Sequence, residues 1–331
     1  MAYLILSIFG TLVILSYLEP YLGKYKRAIY LGTCTIMVFM AGLREVGFDP
    51  DSETYEYYYH NFYSTDLELT VDYSFLWLSE FFNHFTDDVH ALFLLYAALA
   101  LSIKFYTFRH FSESFFLPLL VYAGFYYELH DMTQIRTGLL SAFFLLSLIP
   151  LSEGKKGQAA SLIAFGSLFH LSGLALIPAG YVIYNMGVFI FMQLDIPYIG
   201  EKLMGYQADD EKGIGVVNVN VFNIRHLFSI FIFYFLLFFQ DTICSFNKYY
   251  PIMMKLMAIG LFFYTGFAFI PVVADRIGLQ YQIVSVFLFS NIYYTIKPRW
   301  ASTSLVVLIA FFFLNYTMPY LFKFRILYGN V

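Results

Sequence analysis

Charge is scarce in this chain. Only 13% of the 331 residues are Asp, Glu, Lys or Arg, against about 25% in a soluble domain, so a water-exposed globular fold is excluded. The 19 basic residues are outnumbered by 23 acidic ones, and the basic excess by which proteins hold nucleic acid is missing. Cysteine is nearly absent. Cys34 lies in an apolar run and Cys244 in a short loop, so no disulfide framework is expected. No P-loop, dinucleotide-binding glycine pattern, Cys/His metal spacing or nucleophile elbow occurs. The first apolar stretch, Ala2 to Leu18, has no basic residue ahead of it and no small-residue cleavage site behind it. It reads as an uncleaved first helix with its N-terminus outside.

What the chain does have is apolar surface: 60% hydrophobic and 22% aromatic residues, with a mean hydropathy of +0.67. The expected fold is an all-α integral membrane protein, a single polytopic domain over residues 1–331. A spanning helix takes about 20 apolar residues. We place ten, at roughly 2–18, 28–43, 88–107, 114–130, 135–151, 158–184, 224–240, 252–273, 277–296 and 303–321. The short loops on one side carry Lys24, Lys26 and Arg27; Lys104 and Arg109; Lys155 and Lys156; Lys248 and Lys255; Lys297 and Arg299. By the positive-inside rule that side is cytoplasmic. The span 158–184 is long for one helix, and a break is expected near His170 to Gly173. Reading it as two crossings would put the later basic loops outside, against the charge pattern.

Two long extracytoplasmic loops follow from this topology, about 44–87 and 185–223. The first holds eight acidic residues between Arg44 and Asp72, and a tyrosine cluster of Tyr55, Tyr57, Tyr58, Tyr59 and Tyr63. The second includes Asp195-Ile196-Pro197 and Gly200-Glu201-Lys202. Tyr73 to Phe85 is too short to span at about 1.5 Å per residue. Its Phe75, Leu76, Trp77, Phe81 and Phe82 against Ser79, Glu80, Asn83 and His84 predict a short helix lying in the outer interface. The chain shows no internal repeat, which weighs against a lipid-linked oligosaccharide flippase or exporter.

Arg44, Arg136, Arg225 and Arg276 each stand at the end of an apolar run, all on the outer face. One such arginine could simply snorkel. Four, in a chain so poor in basic residues, point to a cradle for a phosphorylated ligand. Nucleotide sugars and ATP are not found on that face, so the expected ligand is a lipid-linked phosphate. Arg136 opens a helix, whose N-terminus favours anions, and its planar fork suits phosphate oxygens. His130 and Gln134 precede it in what reads as a tight outer turn. Asp49 and Asp51 offer carboxylates for a proton or a sugar hydroxyl. Their Asp-Pro-Asp spacing also leaves room for a divalent cation, and no other cofactor is expected. His170, about 20 Å up the helix from Lys156, is an ionisable group within the membrane and hence a candidate base. Arg225-His226 and Asp275-Arg276 open later helices, with Gln280 and Tyr281 one turn beyond Arg276. The plainer readings are a helix exit for Arg44, a capping cluster for Arg136, a hydrogen-bonded core His170, an interfacial anchor for Arg225 and a local ion pair for Arg276.

Several of these residues fall in motifs. Met40-Ala41-Gly42-Leu43-Arg44, then Gly47, an Asp and Tyr55, resembles the opening motif of EpsG/Wzy-type bacterial polysaccharide polymerases. Gln134-Ile135-Arg136-Thr137-Gly138-Leu139, Phe169-His170-Leu171-Ser172-Gly173-Leu174, and Asp275-Arg276 with Tyr281 are similar to later elements of that family. Order and spacing hold from about residue 35 to 290. The chain departs from the pattern at Thr137, where the family has Gln, and in dividing the expected single Asp between Asp49 and Asp51. The resemblance implies a polytopic architecture of the GT-C-like glycosyltransferase kind in the bacterial plasma membrane. It further implies inverting glycosyl transfer from undecaprenyl-pyrophosphate-linked repeat units on the extracytoplasmic face. Arg44, Arg136 and Arg276, helped by Arg225, would hold the pyrophosphate. His170, or else Asp49 or Asp51, would act as base, and Tyr55, His130, Gln134 and Tyr281 would line the substrate. Membrane lipid and a chain-length regulator are the implied partners. An O-antigen ligase or another lipid-linked-sugar transferase would use the same residues, and a membrane acyltransferase would account for the histidine but not the arginines.

Overall fold

The computed structural model describes residues 1–64, 67, 71–170, 172, 173, 176, 219–268 and 271–328, and among them every regular element is helical. The chain runs through α1 (Ala2–Leu18), α2 (Lys26–Gly42), α3 (Ser52–His60), α4 (Tyr73–Asn83), α5 (His90–Phe111) and α6 (Phe116–Ala123). A π-helical stretch, Tyr127–Thr133, leads into α7 (Ile135–Ser152) and α8 (Lys156–Ser167). From residue 219 onward come α9 (Ile224–Phe238), α10 (Gln240–Cys244), α11 (Tyr250–Gly266), α12 (Pro271–Gln282), α13 (Ser285–Ser290) and α14 (Arg299–Tyr328). Among the described residues, four stretches are long and apolar enough to cross a membrane: Ala2–Tyr21, His90–Phe111, Ile135–Ser152 and Arg299–Met318. Helices suit that setting because each satisfies its own backbone hydrogen bonds where no water can.

Helix α2 packs on α5, α5 on α7, α7 on α8, and α11 on α12, while α6 lies between α1 and α14; α5 and α7 both start at the same end of the bundle. The expected basic loops gather at one end. There Glu19 bridges Lys26 at 3.0 Å and accepts from Ser114 and the Phe115 amide. Asn247 donates to the Phe111 carbonyl, and Tyr294 reaches Glu113. Lys155 pairs with Glu153, within the field of His110 and Lys248. The opposite end is closed by the 44–52 loop, α3 and α4, which share a second hydrophobic core with the starts of α5 and α7. Tyr55, Tyr59, Phe75, Phe93, Tyr96, Ile135 and Leu139 are buried in it. The first loop is therefore largely a packed, aromatic-filled cap.

Several sequence expectations are corrected. Lys104 belongs to no loop: it is wholly buried in α5, where Nζ donates to Asp131 at 2.6 Å and to the Tyr122 hydroxyl at 2.7 Å. Tyr122 also bonds Asp131. The span expected at 114–130 is a two-turn helix followed by the π-helical stretch. The 277–296 span begins earlier, as α12, and breaks before α13. Arg276 thus lies mid-helix in α12, not at a helix start. The helix from Lys156 ends at Ser167, and its expected continuation to 184 lies largely outside the described residues, as does the second loop up to 218.

Candidate active site

The cap begins with an arginine turned inward. Arg44 follows α2 and is fully buried. Its Nε pairs with Asp49 Oδ2 at 3.0 Å, its Nη1 donates to the Ala41 carbonyl at 2.8 Å, and its guanidinium lies 4.1 Å over the Phe93 ring. Asp49 Oδ1 accepts from the amides of Asp51 and Ser52, the first residue of α3. Gly47, at φ +83, makes the turn that lets its amide reach Ser52 Oγ, a left-handed conformation natural to glycine. Arg44 thereby shapes the loop through Nε and Nη1, while its buried Nη2 has no hydrogen-bond partner among the described residues. Both Asp49 oxygens are engaged by the chain, and Asp51 stands under the charges of Arg136, Arg276 and Arg44. That surrounding does not fit a divalent cation on the Asp-Pro-Asp triplet.

Asp51 lies in the field of three arginines. Burial and the nearby Asp49 charge push its carboxyl up to about 6, while Arg136, Arg276 and Arg44 pull it back. Tyr55, one turn into α3, is buried with Arg136 lying 5.7 Å from its ring centroid.

Asp72 joins the two motifs that follow. Its Oδ2 lies 2.7 Å from Arg136 Nη1 and 3.2 Å from His170 Nδ1. Asp72 precedes α4 at the cap position, yet its side chain makes no cap hydrogen bond. Arg136 comes from the first turn of α7 and rests against the rings of Tyr55 and Phe75. His170 arrives from beyond α8, which is tied to α4 where Ser74 Oγ donates to the Leu168 carbonyl at 2.6 Å. Sequence reasoning missed Asp72. A cap-position Asp reads as an ordinary helix start, and nothing in the chain's order says that His170, 98 positions away, will meet it.

The remaining expected residues divide. Arg276 is half-buried and acts electrostatically on Asp51, which places it with the cluster. Its neighbour Asp275 faces Arg225 at 3.9 Å, and Arg225 lies among the rings of Phe125, Tyr264 and Tyr316. Arg225 also lines a cavity with Tyr126, Ser229, Gln282 and Ser285. Gln134 ends the π-helical stretch, its amide donating to the Leu129 carbonyl at 2.8 Å. His130 is not in an outer turn: it is fully buried, with its ring 5.3 Å from that of Tyr126. Tyr281 is buried too, stacked on Phe263, its hydroxyl donating to the Leu176 carbonyl. Neither joins the Asp72 cluster. Chemically, the cluster offers two arginines for an anion, a histidine held by a carboxylate, and a carboxyl that titrates near neutral pH.

The EpsG family model matches residues 27–194, just over half of the chain. That stretch contains Arg44, Asp51, Asp72, Arg136 and His170. No curated protein and no solved structure matches.

Proposed function

Because the chain belongs to the EpsG family, we propose that it polymerises lipid-linked oligosaccharide repeat units at the extracytoplasmic face of the bacterial plasma membrane. Family membership points to polysaccharide polymerase-type function. The single observation that carries the finer reading is the meeting of Arg136 and His170 on Asp72, at the bundle end opposite the basic loops. The donor is a growing glycan on undecaprenyl pyrophosphate, and the acceptor is a sugar hydroxyl of the next lipid-linked repeat. Arg136 and Arg276 bind the pyrophosphate and offset the charge that develops as it leaves. Such stabilisation acts most strongly where water is excluded. His170 takes the proton of the acceptor hydroxyl. The hydroxyl oxygen attacks the anomeric carbon opposite the leaving pyrophosphate, so the linkage inverts. Arg44 and Asp49 hold the loop that presents Asp51. In the topology expected from the charge pattern, the basic loops lie in the cytoplasm and this site outside, next to flipped lipid-linked substrate.

The test uses the full chain in nanodiscs with lipid-linked repeat units extracted from cells that lack this gene. Arg136→Ala is expected to slow chain extension about 100-fold or more, the scale of removing one preorganised anion donor. Arg136→Lys is expected to recover only a small part, because an ammonium does not reproduce the fork. Extension by Arg136→Ala at the wild-type rate would contradict the reading.

A further inference from the structure

We infer that Asp72 is the positioning residue of this site, fixing the protonation geometry of His170 and the place of Arg136 through one carboxylate oxygen. The inference rests on the polymerase reading above and adds a residue to it. Three observations carry it.

The first is what Asp72 does not do. Asp at a helix N-cap ordinarily accepts from the first-turn amides. Here the Asp72 backbone is extended, at φ −68 and ψ 132, and its carbonyl accepts from the Phe75 amide at 2.9 Å, but the side chain makes no cap bond. The carboxylate is turned away from its own helix toward α7 and the end of α8. The second is that Oδ2 serves both partners, Arg136 Nη1 at 2.7 Å and His170 Nδ1 at 3.2 Å. The third is enclosure. Asp72 is 8% exposed and His170 also 8%, so the contacts are poorly screened and the carboxylate needs such partners to be buried at all.

A carboxylate facing Nδ1 selects the imidazole tautomer with its proton on that nitrogen. Nε2 is then the nitrogen with the free lone pair. In the proposed transfer the acceptor O–H proton moves to Nε2 as the hydroxyl oxygen bonds to the anomeric carbon. The bond from that carbon to the pyrophosphate breaks, and its electron pair leaves with the lipid pyrophosphate. The imidazolium formed is stabilised by the Asp72 charge and afterwards gives its Nε2 proton to water. Arg136 shares the same oxygen, so Asp72 also sets the distance between the base and the anion clamp. Asp72 need not touch substrate to do this.

The assay is the same extension reaction, with wild type, Asp72→Asn, Asp72→Glu, His170→Ala and the Asp72→Asn/His170→Ala double variant. Each is compared for turnover, KM and thermal unfolding. Asp72→Asn keeps the shape and removes the charge, and is expected to lower kcat about 100-fold, the scale of lost general-base catalysis. Asp72→Glu keeps the charge and is expected to restore at least about a tenth of the wild-type rate. The double variant is expected to fall below His170→Ala by clearly less than the roughly 100-fold that Asp72→Asn costs alone, because only the part of the role that acts through Arg136 survives loss of the histidine. Multiplying losses in the double variant would overturn the inference, as would Asp72→Glu being no better than Asp72→Asn. A near-normal Asp72→Asn beside an inactive His170→Ala would overturn the role of Asp72 and leave the base in place. A near-normal His170→Ala would overturn the base assignment and the Asp72 role with it.

Discussion

Asp51 sits where a carboxylate is costly, half-buried with Asp49 beside it, and its carboxyl is pushed up to about 6. The ordinary Asp value is about 4. Between the two the folded chain keeps a proton that the unfolded chain has released, so stability falls as pH rises from about 4 to about 6. Asp51→Asn removes that loss while keeping the shape. It is expected to gain roughly 3 kcal/mol at pH 7.5, with the gap closing at pH 4. Thermal unfolding at both values checks this; an equal gap at the two would reject it. Lys104 makes a second case. With Asp131 and Tyr122 it forms a buried polar knot, and Lys104→Met strands the Asp131 carboxylate. The expected cost is about 3–5 kcal/mol. Lys104→Met with Asp131→Leu should recover most of it, since replacing both partners removes the stranded charge. Lys104 was misread from sequence because a lysine one turn from Arg109 looks like part of the same loop. Only packing shows that it points inward to a carboxylate on the next helix pair.

At the scale of elements, α4 carries the clearest pattern. Tyr73, Trp77, Phe81 and Phe85, four positions apart, are all exposed, while Phe75, Leu76 and Ser79 face the cap core. An aromatic stripe of that kind suits the membrane interface. The chain has two tryptophans, Trp77 and Trp300, so Trp300→Phe leaves Trp77 as the single indole reporter. Its fluorescence is expected to be quenched most by lipids brominated near the headgroup, and quenching by bromines at the bilayer centre would contradict an interfacial α4. Where α7 meets the π-helical stretch, a Cβ at Gly138 would collide with the His130 carbonyl oxygen. Gly138→Ala should therefore displace the first turn of α7, and Arg136 with it. Loss of extension activity with a lowered unfolding temperature is the expected result. The helices were legible because apolar runs of this length have few alternatives. Their interruptions were not: the π-helical stretch and the break between α12 and α13 leave no strong local signal, and α12 begins earlier than its hydropathy suggests, its Asp275 facing Arg225 across the bundle at 3.9 Å.

Across the whole molecule, the basic loops and the motif residues collect at opposite ends of one helical bundle. The charge pattern predicted that division, since the positive-inside rule acts loop by loop and does not depend on packing. Convergence was only partly visible. Asp51, Arg136, His170 and Arg276 come together, and Asp72 joins them from a stretch that sequence treated as loop. Arg44 turns inward, while His130 and Tyr281 are absorbed into the core. Short motifs mark which segments meet, but not which side chain of a segment faces the site. The most direct test of polymerase function is the surface glycan ladder after the gene is deleted and then restored as wild type, Arg136→Ala, Arg276→Ala or His170→Ala, with the membrane level of each variant measured alongside. The account predicts that deletion leaves single repeat units on the acceptor, that wild type restores the ladder, and that well-expressed variants do not. Long chains confined to the lipid carrier, or a full-length polymer lacking only a substituent, would contradict it.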